Sequence, residues 1–543
     1  MEEFIVNGPK EDVLPPSCNS FAELMIDSLK RHYNTTLQLK VCALTNVETT
    51  GGQLLNRVHK LTSALRSAGV TSGDAVSISC ENRVEFTVVA LSALCVGAAV
   101  APTNITYSPD ELQHAYSLSK PKIVFASSYL VYNILQVAPK CAFLKYIIVF
   151  DGEESEEENV ITIVQFQEKF QSNFIKNEDF FVTPVNVKFH TAAILCSSGT
   201  TGLPKGVELT HHNLIVSLAH WMHRASTIED AVRVLAIIPW FHAFGFVTSM
   251  TITAFGGTMV VLPRFDNVLF LESIQNHKVT FLFTVPPLLV FLTKDPLVQK
   301  YDLSSVRRIM CGAAPLSKEL QDEVSTKFNC TVQQGYGLTE TTLAVLSQTL
   351  ESGNKYGSCG VLAPGTSAKV IDIESGKALG PNQQGELCFK GDLMMKGYIG
   401  NPGATAGMID KDGWLHTGDI GYYDEDEHFF VVDRLKELIK YKGFQVPPAE
   451  LEALLLTHPG VMDCAVIGLP NEDVGELPLA FVVPSLKNKP SKKELIDFVA
   501  GKVSYAKRLH GGIEFIDEIP KNPTGKILRR VLRDRVTTLK NKL

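Results

Sequence analysis

The stretch Cys196-Ser197-Ser198-Gly199-Thr200-Thr201-Gly202-Leu203-Pro204-Lys205-Gly206 follows the apolar run Thr191–Leu195 and decides what the chain is built to hold. Its serine and threonine hydroxyls and its glycines let the backbone turn tightly and aim N–H groups inward, while Lys205 adds a fixed positive charge. Placed between a strand and a helix, such a loop is a cradle for nucleotide phosphates. As composition alone it is also an ordinary solvated Ser/Gly turn. The spacing departs from the P-loop pattern G-x-x-x-x-G-K-[ST], because Leu203 and Pro204 separate Gly202 from Lys205 and a glycine follows the lysine. Any nucleotide chemistry here is therefore of another class.

At 543 residues the chain exceeds the size at which one core stops growing, so two or more domains are expected. Hydrophobic residues at 45% and charged residues at 20% describe an ordinary globular protein. A net charge of -7 leaves no basic footprint and excludes nucleic acid as the main partner. The cysteines form no C-x-x-C pair, and Met1–Asn7 lacks the basic and apolar regions of a secretory leader, so reduced thiols in an intracellular protein are expected. The longest apolar run, Thr87–Pro102, is interrupted by Ser92 and Gly97 and falls short of the ~20 residues a bilayer span needs. It reads as a buried helix leading into a strand, and no transmembrane segment is expected. The final Asn541-Lys542-Leu543 differs from the peroxisomal address S-K-L only in its first residue and follows a flexible-looking basic tail. The expected location is the peroxisome through an import receptor, and otherwise the cytosol.

From Phe21 to Asp179 helical patterns alternate with short apolar strands: a helix over Leu54–Ala68, strand Ala75–Ser79, helix Val84–Gly97, then strands Ile123–Ala126 and Tyr146–Phe150. The alternation resumes after the Ser/Gly loop, with a helix from His212 and strands at Val234–Ile238, Met259–Leu262 and Phe281–Val285. This predicts an α/β fold of doubly wound layers. Ile309–Pro315 reads as a strand running into a small-residue turn that opens a helix at Ser317, where backbone can approach a flat ligand. Past Tyr356 the texture becomes β-rich, and from Asp433 onward a compact α+β unit carries its own helix and strand signals. The domains are accordingly set at 1–432 and 433–543, with a hinge at Asp433.

Five stretches then fall into order: the Ser/Gly loop, Gln334-Gly335-Tyr336-Gly337-Leu338-Thr339-Glu340-Thr341-Thr342, Trp414-Leu415-His416-Thr417-Gly418-Asp419, Asp433-Arg434-Leu435-Lys436 and Pro520-Lys521-Asn522-Pro523-Thr524-Gly525-Lys526. In order and spacing they resemble the signature motifs of the adenylate-forming superfamily, which contains acyl- and aryl-CoA synthetases, peptide-synthetase adenylation domains and beetle luciferases. Tyr301-Asp302-Leu303-Ser304 and Leu438-Ile439-Lys440-Tyr441-Lys442-Gly443 resemble its insect luciferase and luciferase-like acyl-CoA synthetase branch.

The resemblance implies a reaction with ATP, Mg²⁺ and CoA in which a carboxylate attacks the α-phosphate and the acyl-adenylate is then taken by a thiol. It implies that Ser197, Ser198, Gly199, Thr200, Thr201, Gly202 and Lys205 grip the β- and γ-phosphates. Thr339 would hydrogen-bond the α-phosphate and Glu340 would hold the metal. Tyr336, between Gly335 and Gly337, would face the adenine beside Gln334 and the backbone of Gly312, Ala313 and Ala314. Asp419, assisted by Arg434, would take the ribose hydroxyls. Lys526 would bridge carboxylate and α-phosphate. After the first step the small domain would turn about Asp433, exchanging Lys526 for Lys440. His242 and Phe244 would border the acyl site, together with Leu343 and Ala344. Leu343 stands where beetle luciferases have a serine, exchanging a hydroxyl for apolar area worth about 25 cal/mol per Å² buried. That departure favours a medium- or long-chain fatty acid, with a coumarate-type aryl acid or a luciferase-type oxidation as the alternatives.

Overall fold

The computed structural model describes residues 4–9, 19–41, 46–152, 159–170, 180–197, 204–225, 232–349, 355–471, 473–485, 488–522 and 525–540. The doubly wound α/β expectation holds for the large domain, which carries two sheets with parallel cores. In the first, the strands run in the order 397–398, 205–210, 191–197, 99–102, 75–79, 123–126, 146–149, 160–162. Ala75–Ser79, Ala99–Pro102 and Ile123–Ala126 are buried at every position, as strands covered on both faces must be. The second sheet has a parallel core of strands 331–338, 308–311, 281–284, 233–236, 258–261 and 36–41.

Helices Val84–Val96 and Ala243–Phe255 are apolar nearly all round, which fits a helix only where both sides are covered. Their side chains share one core with Val76 and Ile78 of the first sheet and Val234 and Ala236 of the second. The apolar run from Thr87 is thus this helix followed by strand Ala99–Pro102, and no described helix is long and apolar enough to cross a membrane. The nine described cysteines are free thiols.

A six-stranded sheet built mainly from 366–371, 385–391, 415–423 and 429–434 completes the large domain. Sheet membership changes after Arg434: Ile439–Tyr441 begins a five-stranded sheet with its own core of Leu451, Val466, Val482 and Leu495. A unit with a separate core is a separate domain. Lys294 of the large domain donates to the carbonyls of Leu456 and Val461 in the small one, at 2.9 and 2.8 Å.

Two sequence expectations are corrected. The Ser/Gly loop does not join a strand to a helix: it lies between antiparallel strands Thr191–Ser197 and Lys205–Thr210, which pair Ser197 with Lys205, and helix His211–Ala225 follows the second strand. The flexible-looking basic tail is also corrected, because Arg529–Lys540 is a helix. Leu532 at 1% exposure and the half-buried Val536 pack it against Ala465 and Phe481, an apolar spacing hidden among the basic residues. Residues 198–203 and the final Asn541-Lys542-Leu543 lie outside the described residues.

Arg529 anchors that helix with a two-pronged bond to Glu452, at 2.7 and 2.8 Å, where both side chains are 12% exposed. Removing one partner strands the other as a buried charge. Glu452→Ala should therefore destabilise the small domain by ~3 kcal/mol, read as a lowered transition for that domain in denaturant unfolding while the large-domain transition stays put.

Candidate active site

The carboxyl ends of the second sheet's parallel strands gather most of the sequence-singled residues, the usual ligand position in an open α/β sheet. Strand Arg308–Cys311 ends at Gly312-Ala313-Ala314, and strand Thr331–Leu338 carries Gln334 to Gly337 beside it, with Cys311 opposite Gln334. Ala313, Thr342 and Leu343 have φ of 68°, 51° and 88°. Left-handed backbone at non-glycine residues costs on the order of 1–3 kcal/mol each and collects at ligand sites. Gly337 must be glycine, because a Cβ there would run into the Leu343 carbonyl. The buried Ser217 hydroxyl donates to the Thr342 carbonyl at 3.0 Å and braces this turn, a contact that pure sequence spacing over 125 residues does not announce.

Tyr336 donates its hydroxyl to Asp419 Oδ2 at 2.6 Å, and Arg434 Nε stands 3.4 Å from Oδ1. Asp419 and Arg434 are cross-strand partners, so the sheet itself sets them together. Burial pushes the Asp419 carboxyl up, with the Arg434 and Lys526 charges opposing that rise. Lys526 reaches this group from the small domain, on the turn where Gly525 packs against Val285 and Pro287. Burial, then the Arg434 charge, lower its ammonium to about 8.

His242 caps helix Ala243–Phe255, its Nδ1 accepting from the Phe244 N–H at 3.3 Å. Burial and the Lys526 charge lower its pKa to about 4, so at neutral pH the ring is uncharged with its proton on Nε2. Phe244 is buried and meets Phe283 edge-on at 5.9 Å, which in turn meets Trp221 at 5.8 Å. Leu343 is half-buried at the margin of that core.

Thr339 and Glu340 form a buried single turn after the strand. Glu340 Oε1 accepts from the Tyr398 hydroxyl at 2.7 Å, and the Lys205 ammonium lies 4.6 Å from the centre of the Tyr398 ring. Sequence reading missed Tyr398, which sits in the strand pair Gly397–Tyr398 against Val207 and Glu208. The Gln334 side-chain amide donates to Gln321 at 2.8 Å and its backbone N–H to Gln348 at 2.8 Å, inside a buried glutamine cluster. Lys440 is not brought to this site. It lies exposed on strand Ile439–Tyr441. Asp433 is buried, accepting from the Arg434 and Ala449 N–H groups at 2.7 and 2.9 Å. Ser198, Gly199, Thr200, Thr201 and Gly202 lie outside the described residues.

At its strand ends the doubly wound large domain thus meets the charge of a lysine carried by the small second domain. The chain belongs to the AMP-binding enzyme family: the model of that family matches residues 31–399 and that of its C-terminal domain matches 450–526. It is 41% identical over 536 residues to a luciferin 4-monooxygenase of Nipponoluciola cruciata, covering 98% of this chain and 97% of the relative. It is 39% identical over 515 residues to a probable 4-coumarate–CoA ligase of Dictyostelium discoideum, covering 91% and 92%. Among solved structures, ATP-bound MatB from Rhodopseudomonas palustris superposes with a TM-score of 0.85 at 28% identity, over 96% of this chain and 99% of that one, against 0.75 for apo MatB.

The lowered Lys526 ammonium has a signed consequence. Its folded value lies below the unfolded one, so the folded chain holds fewer protons between pH 8 and 10.5 and this group's destabilising contribution, full below about 8, fades as pH rises to 10.5. Lysine-methyl NMR, with the signal assigned by its disappearance in Lys526→Arg, should show a midpoint near 8; a midpoint above 10 would contradict the burial described here.

Proposed function

We propose that the protein is an ATP-dependent, AMP-forming acid–CoA ligase that activates a medium- or long-chain fatty acid as its adenylate and passes the acyl group to CoA. The observation that carries the reading is that the charge of Lys526, from the second domain, is felt at Asp419 and His242 and meets that of Arg434. A carboxylate and ATP are both anions, and two unit charges ~4 Å apart repel by about 4 kcal/mol at an effective dielectric near 20. Lys526 offsets that repulsion between the attacking carboxylate and the α-phosphate. Neutral His242 supplies an Nε2–H donor to the acid without adding a charge that would trap it.

Tyr336 and the turn Gly312-Ala313-Ala314 form the proposed adenine slot, Asp419 with Arg434 the ribose contact, and Thr339 the α-phosphate contact. Lys205 and the Ser/Gly loop hold the departing pyrophosphate. Glu340 fits a hard divalent cation: one carboxylate oxygen is fixed by Tyr398, and among the described residues no hydrogen bond reaches the other. Magnesium there would neutralise phosphate charge. The fatty-acid assignment is supported by Leu343, an apolar side chain on a strained turn that packs against the core containing Phe244 and Phe283. For the thiol step the small domain turns about Asp433 and exchanges Lys526 for Lys440, so that two chemistries use one pocket in succession.

Two measurements test this. Lys526→Ala should lower adenylate formation by about 10²-fold or more while sparing thioester formation from supplied acyl-adenylate, and Lys440→Ala should do the reverse; equal loss in both assays rejects the exchange. For wild type, kcat/KM of adenylation should fall as pH rises through about 8, where free-enzyme Lys526 loses its proton. Across acids of increasing chain length, cinnamate-type acids and luciferin, CoA-thioester formation should peak on a fatty acid. A peak on aromatic acids, or strong light with luciferin, would replace the substrate assignment.

A further inference from the structure

Tyr398 touches both charged arms of the proposed phosphate site. Its hydroxyl donates to Glu340 Oε1 at 2.7 Å, and the Lys205 ammonium sits over its ring at 4.6 Å. Its backbone is fixed as firmly as its side chain. Met395 N–H bonds the Glu340 carbonyl at 2.9 Å, Ile399 N–H the Gly206 carbonyl at 2.9 Å, and Tyr398 N–H the Thr405 hydroxyl at 2.9 Å. The segment therefore ties the strand that bears Lys205 to the turn that bears Glu340.

A lysine and a buried glutamate this near to one ring would gain by pairing with each other. Among the described residues Lys205 makes no ion pair, and the ring lies against its ammonium. We propose that Tyr398 is a positioning residue that keeps Lys205 and Glu340 apart and aimed, Lys205 at the β- and γ-phosphates and Glu340 at the divalent cation that accompanies them. This deepens the reading of the site as an ATP site and rests on it. The two contacts are separable. The hydroxyl orients the glutamate, and the ring occupies the space through which lysine and glutamate would otherwise meet.

The experiment is equilibrium binding of ATP by titration calorimetry, with and without Mg²⁺, on the full chain. Tyr398→Phe keeps the ring and removes the donor: it should weaken ATP binding in the presence of Mg²⁺ about tenfold or more, the usual scale for a hydrogen bond to a charged group, and leave metal-free ATP binding within twofold. Tyr398→Leu removes the ring and should weaken both, because Lys205 then turns to Glu340. Thioester formation from supplied acyl-adenylate should be unchanged in both variants, which separates positioning from misfolding. Wild-type affinity with Mg²⁺ in Tyr398→Phe, or equal weakening with and without the metal, overturns the proposal. If the wild type itself binds no ATP, it is the ATP-site reading that fails.

Discussion

One buried carboxylate holds the arrangement together. Asp419 is 4% exposed, and its two oxygens face Tyr336 and Arg434. Tyr336 comes from the second parallel-cored sheet, Asp419 and Arg434 from the six-stranded sheet, and Lys526, whose charge is felt at Asp419, from the small domain. A charge taken this far from water is tolerated only with partners, so the anion dictates where the surrounding cations stand. The same burial that raises the Asp419 carboxyl lowers Lys526 to about 8 and His242 to about 4. Three perturbed groups in one place, each with a named cause, are what a reaction between anions requires.

The layers were legible because they depend on short-range pattern. Ala75–Ser79, Ile123–Ala126 and the all-apolar helix Val84–Val96 stand where their runs of buried residue types predict, and Gly97, at φ 83°, ends the helix. Tyr336, Asp419, Arg434 and Lys526 were found through motif order and meet in space. Four features escaped for physical reasons. The Ser/Gly loop lies in a hairpin, because a strand of Lys205–Thr210 with Val207 and Leu209 facing the core precedes the helix, and His211 alone marks no boundary. Gln334 is marked by its place in the motif, but its internal partners, Gln321 and Gln348, are identifiable only once the fold brings them in. Tyr398 and Ser217 act across 58 and 125 residues through strand-to-turn and helix-to-turn contacts, which no local spacing encodes.

The backbone of the site is tighter than its chemistry alone would need. Gly337 lies against the Leu343 carbonyl, and Leu343 itself holds φ of 88°. Such strain persists where neighbours over-determine it. Here the neighbours are identifiable: the Ser217 hydroxyl on the Thr342 carbonyl, and the Thr341 hydroxyl, which donates to the carbonyls of Leu338 and Leu343 at 3.1 and 2.9 Å. Leu343 is thus aimed by backbone, and a side chain aimed by backbone can set pocket shape without polar contacts of its own. This links the sequence departure at Leu343 to the proposed apolar acid.

The proposed exchange of Lys526 for Lys440 depends on how costly it is to part the two domains. Their cores are separate, so the contacts between them are the ones that a rotation would break. Lys294 caps the last turn of helix Pro448–Leu456, bonding Leu456 and Val461 carbonyls, and Gly525 rests on Val285 and Pro287. The Asp433 bond to Ala449 N–H, by contrast, lies at the proposed pivot, where a rotation moves atoms least. At about 0.5–1.5 kcal/mol net for each hydrogen bond, the Lys294 contacts amount to a few kcal/mol at most. A ligand shifts such an equilibrium only by its differential affinity for the two arrangements, and ~5.5 kcal/mol of it inverts a 1:99 population. On the proposed reading ATP and acid meet Lys526 only in the arrangement seen here, so their binding has leverage of the right size to hold it. In the proposed cycle, adenylate formation removes the carboxylate charge that Lys526 faces, and that weakens the reason for the small domain to stay.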